Sequence, residues 1–173
     1  MASPRERRLA SDLRQMADAA ASGAFAFRSE GDPPERYRVQ LAVPGLARDE
    51  DALVVRGLHR FDAYLHRDYP RRPPVVQWLT PVFHPNLLGP ERNGGVCIGS
   101  WSAAESLADL CLRLRDLVAW RALNADDALD PEAAAWVHEH AVRPGADVAR
   151  LAQLSAARAA VTLAGSAGGR GTP

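Results

Sequence analysis

The feature that most limits what this chain can fold into is a stretch without rhythm. From Thr80 to Ser100 the residues keep neither the two-residue period of a strand nor the 3.6-residue period of a helix, and proline, glycine and asparagine crowd the segment. About twenty residues with no element of their own are uncommon inside a compact domain, and such loops tend to carry function. The segment also divides the chain. Strand-like alternation precedes it and helical stripes follow it, so the sequence predicts an α+β domain with its chemistry in the loop between the two halves.

Ahead of the loop, Leu9, Leu13, Met16 and Ala20 recur at helical spacing and leave Arg5, Arg7, Arg8 and Arg14 to face water. Ser3, Pro4 and Glu6 read as cap, first-turn proline and capping-box partner, which predicts a helix over 4–21. Alternation then marks four candidate strands near 24–28, 37–41, 53–55 and 61–65, and these read as an antiparallel meander. Tyr69-Pro70-Arg71-Arg72-Pro73-Pro74 cannot continue a ladder, because each proline lacks a donor and fixes φ. Residues 75–79 read as one short extended piece.

After the loop, Leu107, Leu110, Cys111, Leu114, Leu117 and Val118 form an apolar stripe that ends near Trp120. Residues 124–130 read as a polar connector, and Pro131 opens a short helix to about His140. Pro144 is expected to open a last helix, with Val148, Leu151, Leu154 and Val161 on one face. The Gly-, Ser- and Ala-rich residues 164–173 read as a flexible tail after a single domain over 1–163. A chain of 173 residues suits one domain. Its 21 basic and 21 acidic residues cancel, which speaks against a protein devoted to coating nucleic acid or an anionic membrane. No apolar run nears the roughly 18 residues of a membrane span, and a cytoplasmic location is expected. All 21 basic residues are arginine and none is lysine. With the abundant alanine, that usage suggests a GC-rich, bacterial genome.

The two cysteines differ in kind. Cys111 lies inside the apolar stripe and reads as core. Cys97 lies in Asn93-Gly94-Gly95-Val96-Cys97-Ile98-Gly99, where glycines on both sides permit sharp turns and close approach by another chain. That makes Cys97 the candidate nucleophile. Eleven residues earlier, Phe83-His84-Pro85-Asn86 offers a fixed turn and an amide that can brace a loop or meet a developing oxyanion. A cysteine-protease dyad needs a free histidine, and His84, held between Phe83 and Pro85, suits that role poorly. His138 and His140 stand two apart on a helix, point to different sides and lack a third ligand, so no metal and no cofactor is expected.

Taken together, Tyr69-Pro70-x-x-Pro73-Pro74, Val82-Phe83-His84-Pro85-Asn86, Gly95-Val96-Cys97-Ile98, Trp101-Ser102 and Asn124-Ala125-Asp126-Asp127-Ala128-Leu129 resemble a ubiquitin-conjugating enzyme over about residues 5–161. The resemblance implies the ubiquitin-conjugating fold: an N-terminal helix, a four-stranded antiparallel meander, an active-site loop and C-terminal helices. It implies that Cys97 accepts the C-terminus of a ubiquitin-like protein as a thioester from an activating enzyme and hands it to an amine. Asn86 matches the family's asparagine of oxyanion stabilisation or loop bracing, with His84 and Pro85 supporting that loop. Asp127 matches the acidic residue that orients or deprotonates the incoming amine. Arg5, Arg7, Arg8 and Arg14 match basic residues that dock the activating enzyme. A bacterial member of the family implies a conjugation operon, with anti-phage defence as one setting.

The departures matter too. The Asn86–Cys97 segment is about three residues longer than usual, and Ala125 and Ala128 replace two prolines beside Asp127. Arg71 replaces an aromatic residue, and Ser102-Ala103-Ala104 replaces Ser-Pro-Ala, so docking of a standard RING ligase is not expected. The other readings are a non-catalytic scaffold that binds the modifier and a cysteine hydrolase that releases it. Lysine is the usual acceptor in this chemistry, so a lysine-free chain offers its own thioester no side-chain amine.

Overall fold

The computed structural model describes residues 1–50 and 52–155. Helix α1 (Pro4–Ala21) starts as its sequence dictates, with Ser3 capping the Glu6 N–H, the Glu6 carboxylate accepting the Ser3 N–H, and Pro4 in the first turn. Six strands follow: β1 (Ala26–Gly31), β2 (Pro34–Leu41), β3 (Gly45–Asp49), β4 (Ala52–Arg56), β5 (His59–Tyr64) and β6 (Val75–Trp78). Strands β1, β2, β5 and β6 form one antiparallel sheet in that order, while β3 and β4 make a separate hairpin.

The four-stranded antiparallel sheet is therefore present with one member exchanged. The 53–55 strand pairs with β3, and its place in the sheet goes to β6, the short piece after the prolines. Alternation could not reveal β3, because Gly45, Leu46 and Ala47 are buried in succession. In β2 and β5 alternation is faithful. Tyr37, Val39, Leu41, Phe61 and Ala63 face inward, while Arg38 and Asp62, paired in register on the outer face, meet in two 2.8 Å hydrogen bonds.

Helices α2 (Leu107–Val118), α3 (Pro131–Glu139) and α4 (148–155) complete the described chain. Pro144 does not open α4. It stands in a turn with Gly145 at φ +85°, and Asp147 caps the helix by accepting the Arg150 N–H on its carboxylate. Val161 and the 164–173 tail lie outside the described residues. One core joins Leu9 and Met16 of α1, the inner face of the sheet, and Leu110, Leu114 and Val118 of α2. A second joins the β3–β4 hairpin, Phe83, Trp120, α3 and α4. The rhythmless loop runs between them. Among the described residues no helix is long and apolar enough to cross a membrane.

One buried carboxylate ties the first half of the chain to the second. Asp12 is fully buried and accepts from Arg8 Nε and the Tyr69 hydroxyl at 2.8 Å each, and from the Leu107 N–H at 3.0 Å. Removing it takes the acceptor from Arg8 Nε, the Tyr69 hydroxyl and the Leu107 N–H together. Asp12→Ala should therefore lower the unfolding free energy by about 3 kcal/mol in urea titration; wild-type stability would contradict this role.

Candidate active site

Cys97 and Asn86 face each other across a miniature hairpin. The Cys97 N–H donates to the Asn86 carbonyl at 2.9 Å, Leu87 bridges Val96, and the Leu88 N–H donates to Gly95 O at 2.8 Å. A 3₁₀ turn at Pro90–Arg92 and left-handed Asn93 and Gly94 close the hairpin. Gly94 presses against β6, where a Cβ would sit 2.3 Å from the Trp78 carbonyl oxygen. The residues between Leu88 and Gly95 form the turn, and the ladder below it sets the Asn86–Cys97 pairing.

The 84–86 turn is fastened to the 122–130 loop at every residue. The buried His84 ring accepts the Asn86 N–H on Nδ1 at 3.1 Å, so Nε2 carries the proton and donates to Ala122 O at 3.2 Å. The ring packs edge-on against Trp120, and burial pulls its pKa down from 6.5 to about 4, keeping it neutral. The Pro85 carbonyl accepts the N–H groups of Leu129 and Asp130 at 2.8 and 3.0 Å. The Asn86 amide donates to Asn124 O at 2.8 Å and Asp127 O at 3.2 Å, and accepts the Asn124 N–H at 2.8 Å. Both amide hydrogens are engaged, so meeting an oxyanion would require Asn86 to release one of these carbonyls.

Cys97 is half-buried and lines a cleft of about 290 Å³ with Asn86, Asp127 and the α2 side chains Leu110, Arg113, Leu114 and Leu117. Asp127 is exposed at this cleft, and its N–H donates to the Asn124 side chain at 3.2 Å. The sequence signal for this turn is local, an Asn three residues ahead of the N–H that its side chain accepts. None of the five histidines lines the cleft. His138 approaches Asp126 at 3.7 Å, while His140 stacks on Trp136 at 4.5 Å.

The basic residues of α1 separate into two groups. Arg5 donates to the His66 and Leu65 carbonyls at 3.0 and 2.8 Å and pairs with Glu35 at 2.7 Å. Arg8 holds Asp12, the Tyr69 hydroxyl and the carbonyls of Ala103 and Glu105. Arg7 and Arg14 are exposed. The spacing of α1 correctly set its face, but spacing alone could not show that Arg5 and Arg8 reach across to carbonyls without ladder partners.

Comparison with known proteins agrees with this geometry. A model of the ubiquitin-conjugating enzyme family matches residues 8–149. Ubiquitin-conjugating enzyme E2 S of Drosophila persimilis is 27% identical over 131 residues, covering 73% of this chain and 57% of that protein. The NEDD8-conjugating enzyme ubc12 of Schizosaccharomyces pombe is 29% identical over 96 residues, 53% of this chain and 51% of that one. The chain thus spans little more than half the length of these relatives. The solved E2 domain of a Toxoplasma gondii ubiquitin conjugating enzyme shares the fold, with a TM-score of 0.58 at 22% identity over 84% of this chain and 92% of that one.

A buried imidazole with a depressed pKa supports the fold above its unfolded value near 6.5 and withdraws that support as pH falls toward 4. In an NMR pH titration the His84 ring should stay neutral to below pH 5; a midpoint near the ordinary value would contradict its packing.

Proposed function

The chain belongs to the ubiquitin-conjugating enzyme family, and on that premise we propose that Cys97 carries a ubiquitin-like protein as a thioester and delivers it to an amine. The Cys97 thiolate attacks the thioester between the modifier's C-terminus and an activating enzyme's cysteine, and that enzyme's thiolate leaves. An amine then attacks the new thioester, losing a proton as the Cys97 thiolate departs. The observation that carries this reading is a half-buried thiol, held opposite Asn86, in a cleft that no histidine lines. Thiol-to-thiol exchange is nearly isoenergetic and asks for placement more than for a strong base, whereas a hydrolase would need a base to activate water.

In this reading Asn86 braces the 124–127 loop, with His84 and Pro85 supporting the same frame, and Asp127 faces the incoming amine and takes or orients its proton. Docking of the activating enzyme falls to Arg7 and Arg14, since Arg5 and Arg8 hold the fold together. Arg71 and Ser102-Ala103-Ala104 are exposed and offer a RING domain neither aromatic nor proline anchor, so transfer proceeds without a standard RING ligase. The arginine-only composition supports a bacterial setting, and analogy with bacterial members of the family adds a conjugation operon with its own activating enzyme and modifier and a role in antiviral defence.

The test mixes the chain with a competent activating enzyme, its modifier and ATP, and resolves the products with and without reductant. A reductant-sensitive adduct that disappears in Cys97→Ala is expected, and its absence in the wild-type chain would overturn the reading. Asp127→Ala should load normally yet discharge to free amine roughly tenfold more slowly, the low end of general acid–base contributions. Equal slowing of both steps would remove Asp127 from the transfer step.

A further inference from the structure

The face that α2 turns toward Cys97 carries two charged residues, Arg113 and Asp116, among its leucines. Leu110, Leu114 and Leu117 line the cleft at helical spacing, and Arg113 lines it among them. Its Nη1 donates to Ile98 O at 3.0 Å and to Ser100 O at 3.1 Å, the carbonyls on either side of Gly99. Gly99 has φ +71°, which turns both carbonyls toward the same guanidinium. On its other side Nη2 pairs with Glu105 Oε1 at 2.7 Å, and the Glu105 side chain is only 18% exposed. A single guanidinium therefore gathers both ends of the 98–105 connector, which leads from Cys97 to the Ser106 cap of α2. Arg8 grips the same connector from α1, at the carbonyls of Ala103 and Glu105.

We propose, building on the conjugating role assigned to Cys97, that Arg113 is the positioning residue that fixes the direction of the Cys97 thiol, and that it serves there because a guanidinium cannot accept the modifier. Cys97 has ladder support on its N-terminal side only, through Asn86 O and the Leu87–Val96 bridge. Beyond it, the Ile98 and Ser100 carbonyls have Arg113 as their donor, so the guanidinium decides where the chain goes after the cysteine. A lysine could supply charge and donors from a single nitrogen, but its amine would stand in the cleft that holds a thioester. Arginine meets both carbonyls through Nη1, sets Nη2 in an ion pair with the Glu105 carboxylate, and stays protonated and unreactive. The absence of lysine from the whole chain then has a local chemical meaning at this position.

The loading assay above separates the alternatives when run with the wild-type chain, Arg113→Met, Glu105→Gln and Arg113→Lys, each checked for folding by circular dichroism. Arg113→Met should lower kcat for thioester formation by about tenfold while KM for the charged activating enzyme stays within about twofold, as expected of a misplaced nucleophile. Glu105→Gln leaves Arg113 in place without its ion pair and should lose about threefold in kcat, so the test stands even if Arg113→Met does not fold. Arg113→Lys should load and then convert to a reductant-resistant self-adduct. Wild-type kcat in both Arg113→Met and Glu105→Gln, or a loss confined to KM, overturns the positioning role. An Arg113→Lys chain that loads and never forms the self-adduct overturns the reason for arginine. Failure of the wild-type chain to form any thioester removes the conjugating role first and the clamp with it.

Discussion

Everything around Cys97 depends on one buried side-chain amide. Asn86 is nearly inaccessible, and its three hydrogen bonds reach Asn124 twice and Asp127 once. Its own carbonyl receives the Cys97 N–H. A single residue therefore joins the cysteine hairpin to the loop bearing the acidic residue, in a region where neither segment belongs to a sheet or helix. Such segments hold a fixed geometry only if their polar groups find partners. His84 and Pro85 extend the same frame to Ala122, Leu129 and Asp130, and Asp130 in turn caps α3 and pairs with Arg92 of the hairpin turn at 2.8 Å.

Much of this was legible in the residues, and what escaped has physical reasons. Helix α1 announced itself by an apolar stripe and a cap, α2 by its stripe and α3 by its opening Pro131, all of them local signals. Strand β3 did not, since it buries three residues in a row. The start of α4 was misplaced because Pro144 imitates a first-turn proline, whereas Asp147 caps the helix. At the site, Cys97 and Asn86 stood out as residue types in a punctuated loop, whereas Asp127 was marked only by the family resemblance. The hairpin that pairs Asn86 with Cys97 is a matter of register between two short segments, which no periodicity records. Arg113 was hidden for a similar reason. On its helix it is a polar interruption of a leucine stripe, and only the fold reveals the carbonyls it serves.

The arginines show one economy repeated through the chain. Arg5, Arg8 and Arg113 all donate to carbonyls of segments that lack ladder partners, bringing α1 and α2 into the design of the loop regions. A forked, permanently charged donor suits that task better than an ammonium. In a chain whose proposed intermediate is a thioester, the same choice keeps nucleophilic side-chain amines away from it.

The central claim is that Asn86 acts as a brace, holding the Asp127 loop against the Cys97 hairpin, and hydrogen exchange at the Asn124 amide tests it most directly. In the wild-type chain this N–H is bonded to the Asn86 side chain at 2.8 Å and should be protected. Asn86→Ala should abolish that protection and lower the unfolding free energy by about 2 kcal/mol, because it strands buried partners. Unchanged protection and stability in Asn86→Ala, with only amine transfer slowed, would contradict the brace and return Asn86 to the oxyanion.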